Sequence, residues 1–250
     1  MTPFFEYRGA DYRGVKQPDL ELRVYEDCHQ VAAAALELVL QKACEAIDQR
    51  GRFVLALAGG TTPKSLYQQL AETDQDWSKW HLIYGDERCL PDGHSERNST
   101  MVEECWLAKV GFPEKNHHVP AIELTPAIEQ GTENTATNYG KRIDHLLPID
   151  LALLGMGDDG HAASLFPGHV HSEQVVVAVH NSPKPPSERI SLSYATLCKA
   201  RVVCFLVAGE RKKQAVEGWM NGENLPVAKI HGAEKMFLLF DKAASSMALS

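Results

Sequence analysis

Apolar positions along the chain fall into short runs separated by longer amphipathic stretches. His29–Arg50 is rich in Ala, Leu and Glu, and Gly51 follows it as a C-cap, which predicts a helix. Arg52–Ala58 (RFVLALA) reads as a buried strand. Pro63 suits the first turn of a helix reaching about Ala71. Trp80–Tyr84 predicts a second strand, Asp150–Leu154 a third, Val175–Val179 a fourth and Arg201–Val207 a fifth. Arg189–Ser193 reads as a short strand and Met236–Phe240 as a final one, followed by a small-residue tail. Helices are predicted over Ser99–Val110, Asn134–Leu147 and about Arg211–Met220, with Pro120–Gly131 as a connection. Strands alternating with helices imply an α/β fold, a mostly parallel sheet covered on both faces in the doubly wound, Rossmann-like manner. Residues 21–250 are read as one domain. Residues 1–20, with Pro, Gly and mixed charge but little periodicity, are read as an N-terminal arm or extended lead-in. The Pro-rich piece Asn181–Ser187 (NSPKPPS) lies between two strands and reads as a shaped surface loop.

Composition narrows the function class. The chain has 250 residues, 44% of them hydrophobic, and a formal charge of −8. No basic stripe is visible, so a nucleic-acid partner is not expected. An acidic protein can still hold an anion through local basic groups and backbone N–H donors. No apolar run is long enough to cross a bilayer, so no membrane partner is expected. The six cysteines are scattered with no Cys-x-x-Cys pair, and Met1–Ala10 lacks the apolar core of a signal peptide. Reduced thiols and a cytoplasmic location are expected.

The loops that follow the strands carry the candidate chemistry. Gly155–His161 (GMGDDGH) follows a buried strand with three glycines, two aspartates and a histidine. Ligands of doubly wound proteins sit where strand gives way to loop, and His161 is the side chain that titrates near neutrality. The plainer alternative is a helix-capping histidine with Asp158 or Asp159 forming the turn. Ala58–Pro63 (AGGTTP) presents Gly59, Gly60, Thr61 and Thr62 at a helix start, a phosphate cradle by backbone donors and helix dipole. Taken alone, such a turn is equally ordinary strand-to-helix punctuation. Tyr84–Pro91 (YGDERCLP) places Asp86 and Arg88 on one loop, able to orient a polyhydroxy substrate. Taken alone, it reads as a solvated turn with a local Asp86–Arg88 ion pair. Gly209–Lys213 (GERKK) puts basic residues at a helix start, against the helix dipole, for which a bound anion is a reason. A metal site is not expected: no second histidine stands at helical spacing from His161, and His117–His118 lie in a loop without evident partners.

These segments together resemble the 6-phosphogluconolactonases. GMGDDGHAASLFPG, GDERCLP with the downstream HSERNSTM, SPKPPSERISL and GERKK occur here in that order, over about Leu57 to Phe240. The related glucosamine-6-phosphate deaminases share the GG-x-TP, Asp-Glu and Gly-x-Asp-Gly-His loops. They typically continue Asp-Gly-His-Ile-Ala-Phe-Asn-Glu-Pro, whereas this chain continues Ala162-Ala163-Ser164-Leu165-Phe166-Pro167. The deaminase Glu is missing, and Arg88 stands where those enzymes usually carry Tyr. Many members read Ser-Gly-Gly at the first loop, where this chain reads Ala58-Gly59-Gly60.

The resemblance implies a single α/β domain and hydrolysis of 6-phospho-D-glucono-1,5-lactone, a phosphorylated sugar lactone, with no required cofactor. His161 is then the general base. Asp159 either fixes its tautomer or binds sugar hydroxyls. Backbone N–H groups around Gly155–Gly157 serve an oxyanion. Phosphate lies across Gly60, Thr61 and Thr62, with Arg88, Arg189 and Lys212 supplying positive charge; Lys212, not Lys213, has the Gly-x-x-Lys spacing from Gly209. The competing expectations are a glucosamine-6-phosphate deaminase/isomerase and a non-catalytic sugar-phosphate sensor.

Overall fold

The computed structural model describes residues 2–3, 5–12, 15–125 and 127–245. The strands are β1 (Phe5–Tyr12), β2 (Val15–Tyr25), β3 (Phe53–Leu57), β4 (Trp80–Tyr84), β5 (Asp86–Arg88), β6 (Leu151–Leu154), β7 (Val176–Val179), β8 (Arg189–Leu192), β9 (Val202–Val207) and β10 (Lys235–Asp241). The helices are α1 (Cys28–Arg50), α2 (Thr61–Leu70), α3 (Asn98–Val102), α4 (Ala108–Val110), α5 (Ile128–Ile143), α6 (Tyr194–Cys198) and α7 (Lys213–Met220). A π-helical stretch, Glu103–Leu107, joins α3 to α4.

Seven strands form the main sheet in the order β1-β2-β10-β9-β6-β3-β4, all parallel except the edge strand β1. Side chains alternate across it with the period of two that a strand imposes. Phe53, Leu55, Leu57, Leu151, Leu153, Cys204 and Leu206 face α1, α2 and Trp106. Val54, Ala56, Ala152, Leu154, Val203 and Phe205 face α5, α7 and a second sheet. Both faces are dry, which is why these strands read as continuous apolar runs.

α1 begins where predicted because Asp27 accepts the His29 and Gln30 backbone N–H groups at 2.9 Å. It ends at Gly51, at φ 74°. α5 starts earlier than predicted and contains Gly131. A Cβ there would lie 2.3 Å from the Glu123 carbonyl oxygen, so the residue is glycine because the 120–125 connection packs against the helix.

Two expectations need correction. The segment read as an N-terminal arm or extended lead-in, residues 1–20, is not loose at 5–12 and 15–20, which are strand. β1 and β2 make an antiparallel hairpin, and β2 pairs with β10 from Leu20 to Tyr25, so the boundary at residue 20 falls inside a strand. Its order comes from pairing with a strand more than 200 positions away, which local periodicity does not register. Likewise the strands at 176–179 and 189–192 do not join the main sheet. With β5 they form a three-stranded antiparallel sheet, β5-β8-β7, set beside it. The last part of the small-residue tail, 246–250, lies outside the described residues.

The chain runs from β3 outward to β4, then returns past β3 to β6 and continues to β9. The carboxyl ends of β3 and β6 therefore flank the point where the winding reverses, and loops there diverge to leave a crevice. β5 and β8 close one side of it.

Candidate active site

A cavity of about 370 Å³ opens at that reversal. It is lined from the loop after β3 by Gly59 and Gly60, from β5 by Asp86 and Arg88, from the loop after β6 by Gly157 and His161, and by Arg189 and Lys212. Five segments far apart in sequence are thus brought together. Thr61 and Thr62 are not on its wall: both belong to the first turn of α2, Thr61 exposed and Thr62 buried. Asp159 stands behind His161.

The loop after β6 is shaped around the histidine. His161 Nδ1 lies 2.5 Å from Asp159 Oδ1, which also accepts the His161 backbone N–H at 3.2 Å. This geometry puts the ring proton on Nδ1 and leaves Nε2 as the proton acceptor. A Cβ on Gly157 would lie 2.0 Å from Nδ1, so only glycine fits beneath the pair. The Gly157 N–H donates to the His161 carbonyl at 2.8 Å. That corrects one expectation: this N–H closes the loop and is not open to an oxyanion. Phe166 packs on the ring at 4.5 Å between centroids. Burial pushes the His161 pKa down, and the Asp159 hydrogen bond and charge only partly offset this, so it sits below the ordinary histidine value. For Asp159, burial works upward but the bond and charge of His161 win, so its carboxyl titrates below the usual aspartate range. The pair is neutral imidazole and carboxylate at neutral pH.

The first loop is held from below. Tyr67, fully buried, accepts the Ala58 N–H and donates to the Ala58 carbonyl, both at 2.9 Å. Gly59 is required because the Asn98 side chain occupies the place of a Cβ, its Oδ1 2.1 Å from that point. Gly60, at φ 108°, opens α2 with its N-terminus toward the cavity.

The Asp86–Arg88 loop is not a solvated turn, and the two residues do not pair with each other. Asp86 is buried; its Oδ2 accepts the Ser164 hydroxyl at 2.6 Å and its carbonyl accepts Asn98 Nδ2 at 2.9 Å. Glu87, wholly buried, accepts the backbone N–H groups of Arg88, Asn98 and Ser99 at 2.8–2.9 Å and so caps α3. Arg88 Nη1 donates to the Glu96 carbonyl, while its Nε is buried without a partner among the described residues.

Arg189 lines the cavity but has two duties. Its Nε donates to the Pro186 carbonyl at 3.2 Å, and its Nη2 to the carbonyls of Lys184 and Pro185 at 3.0 Å. Its guanidinium also lies 5.7 Å from the Phe166 centroid. The Pro-rich loop is therefore moulded onto Arg189, and Lys184 and Pro185 join the wall. Lys184 pairs with Asp158 across the cavity's edge. Lys212 is half-buried and on the wall, whereas Arg211 and Lys213 are exposed. Burial lowers the Lys212 pKa, with Asp158 opposing.

Asn98, Tyr67 and Lys184 were missed by reasoning from sequence. Only Lys184, a lysine among three prolines in a loop between strands, carried a local signal. His117 and His118, expected to lack partners, have them: His117 Nε2 lies 2.6 Å from the Tyr84 hydroxyl, and His118 Nε2 lies 3.3 Å from His81 Nδ1. Among the described residues no cluster of three metal-ligating side chains forms, and no helix is long and apolar enough to cross a membrane.

Comparison with known proteins points one way. The chain is 37% identical over 201 residues to a 6-phosphogluconolactonase of Nostoc sp., covering 78% of this chain and 82% of that one. It is 35% identical over 245 residues to the 6-phosphogluconolactonase of Streptomyces coelicolor, covering 90% and 94%. The fold is similar to the crystal structure of 6-phosphogluconolactonase from Thermotoga maritima, with a TM-score of 0.80, 27% identity and coverage of 88% and 99%. Residues 26–238 match the family model described as glucosamine-6-phosphate isomerases/6-phosphogluconolactonase, and the chain belongs to that family.

Proposed function

We propose that this protein hydrolyses 6-phospho-D-glucono-1,5-lactone to 6-phospho-D-gluconate, the lactone-opening step of the oxidative pentose phosphate pathway. The observation that carries the reading is a neutral His161 imidazole, backed by the Asp159 carboxylate, on one wall of a cavity whose other walls hold Arg88, Arg189, Lys184 and Lys212. A phosphorylated lactone needs a base for water at one end and cations for phosphate at the other.

His161 Nε2 takes a proton from water as its oxygen bonds to the lactone carbonyl carbon, a contribution of roughly 10²–10⁴-fold. The tetrahedral intermediate collapses, the bond to the ring oxygen breaks, and the imidazolium returns its proton to that oxygen. Asp159 keeps Nδ1 protonated and stabilises the transient imidazolium. The phosphate meets the N-terminus of α2 at Gly60, together with Arg88, Arg189 and Lys212, while Thr61 and Thr62 stand off the cavity wall. Asp86, steadied by Ser164, remains to accept a sugar hydroxyl. A cytoplasmic setting goes with this reading, since all six cysteines are free thiols.

The test is the decay of freshly generated lactone with and without purified protein, against the spontaneous rate. Acceleration at catalytic protein concentration is expected. A folded sample that leaves the decay unchanged would overturn the reading. Ammonia release from glucosamine-6-phosphate in that case would put the deaminase in its place, and binding without turnover the sensor.

A further inference from the structure

The loop that delivers Lys184 and shapes Arg189 is closed at its base by a cluster outside the cavity. His180 precedes the loop and Glu188 follows it. His180 Nδ1 lies 2.6 Å from Glu188 Oε2, and its Nε2 lies 3.2 Å from Glu133 Oε1 on α5. The same Glu188 oxygen accepts the Thr132 hydroxyl at 2.8 Å, a second tie to α5. The Glu188 carbonyl accepts the Cys89 N–H at 3.0 Å, next to Arg88. Within the bracket, the Ser182 N–H donates to the Ser187 carbonyl at 2.9 Å. Both ring nitrogens of His180 thus face carboxylates, which only an imidazolium satisfies as a double donor.

We propose that His180 is a positioning residue for the phosphate-binding wall: as an imidazolium between Glu133 and Glu188 it fastens both ends of the 181–187 loop to α5, and so holds Arg189 and Lys184 in register with Arg88. This rests on the reading of the cavity given above. The groups facing His180 are Glu188 at the head of β8, Glu133 on α5, and, across an adjoining cavity of about 450 Å³, Asp159 and His169. Burial works to lower the His180 pKa, but the hydrogen bonds and charges of Glu188 and Glu133 outweigh it and hold it above the ordinary histidine value. The bracket therefore keeps its charge through mildly acidic pH and loses it as the medium becomes alkaline.

His180→Gln tests this, with Glu133→Gln, on an exposed side chain, as the second variant. Lactone turnover is followed from pH 6 into the alkaline range for wild type and variants. At pH 6 the KM of His180→Gln is expected to rise roughly ten-fold, the loss of one charge-assisted hydrogen bond, with kcat little changed. The ratio of variant to wild-type KM is expected to fall toward one as pH rises, because the wild type then loses the same charge; the substrate's own phosphate titration cancels in that ratio. Glu133→Gln is expected to move KM in the same direction by less. An unchanged KM, or a ratio independent of pH, overturns the proposal while leaving the lactonase reading intact. Binding of 6-phosphogluconate by calorimetry reads the same ratio without turnover. Wild type that binds with the predicted variant ratio but does not open the lactone would overturn the lactonase reading alone, and absence of both would overturn both.

Discussion

One oxygen of Asp159 holds His161 twice, taking the ring Nδ1 at 2.5 Å and the backbone N–H at 3.2 Å. Ring tautomer and ring orientation are thereby set by one carboxylate two residues away. His161→Ala is expected to lower kcat by roughly 10²–10⁴-fold with the fold intact. Kinetics beside a thermal melt check this, and an unchanged kcat would remove His161 as the base.

The pair also sets the pH response. His161 works as a base only when neutral, and burial holds its pKa below the ordinary histidine value. Activity should climb with pH through that depressed pKa and be fully developed by neutrality. Asp159→Asn removes the group that pushes the His161 pKa up, so its acid limb should move to lower pH while kcat falls. A pH–rate profile of both proteins measures this, and a limb moving upward would contradict the assignment.

Gly157→Ala places a methyl group where the imidazole stands, 2.0 Å from Nδ1. The dyad must yield, since the atoms that the methyl group meets all belong to the His161 and Asp159 side chains. The expected result is a kcat loss comparable with that of His161→Ala, with KM much less affected. Steady-state kinetics decide it, and a fully active Gly157→Ala protein would show that the ring can act from elsewhere.

Arg189→Ala is expected to raise KM and to cost about 1–3 kcal/mol of stability, because three loop carbonyls lose their donors together with the phosphate contact. Chemical denaturation and KM should change together. A change in KM alone would mean that the loop holds its shape without Arg189.

Glu87→Ala strips the cap from α3 and leaves the Asn98 and Ser99 N–H groups buried without acceptors. A loss of about 3 kcal/mol is expected from the orphaned donors and from the loss of one of the two carboxylates paired with buried Arg97, which keeps Asp92, read as a lowered urea midpoint. Asn98 should loosen with it, and since its side chain packs on Gly59, KM should rise.

Sequence alone determined what depends on nearest neighbours. The apolar runs at 53–57, 80–84, 151–154 and 202–207 name buried parallel strands, because both faces of each are dry. Asp27 and Gly51 name the ends of α1, because a cap acts within one turn. Gly59, Gly157 and His161 are legible because a ligand-facing loop after such a strand needs glycine and a titratable side chain close together. Tertiary structure alone decided the rest. The 5–12 and 15–25 hairpin is ordered by β10, and the 176–179 and 189–192 strands leave the main sheet to pair with each other and with Asp86–Arg88. Asp86 meets Ser164 across 78 positions, Asn98 fills the space above Gly59, and Arg189 engages most of its donors on the Pro-rich loop. Such pairings join groups whose separation along the chain carries no periodicity, so their partners become visible only when the sheet brings the strand ends to one edge.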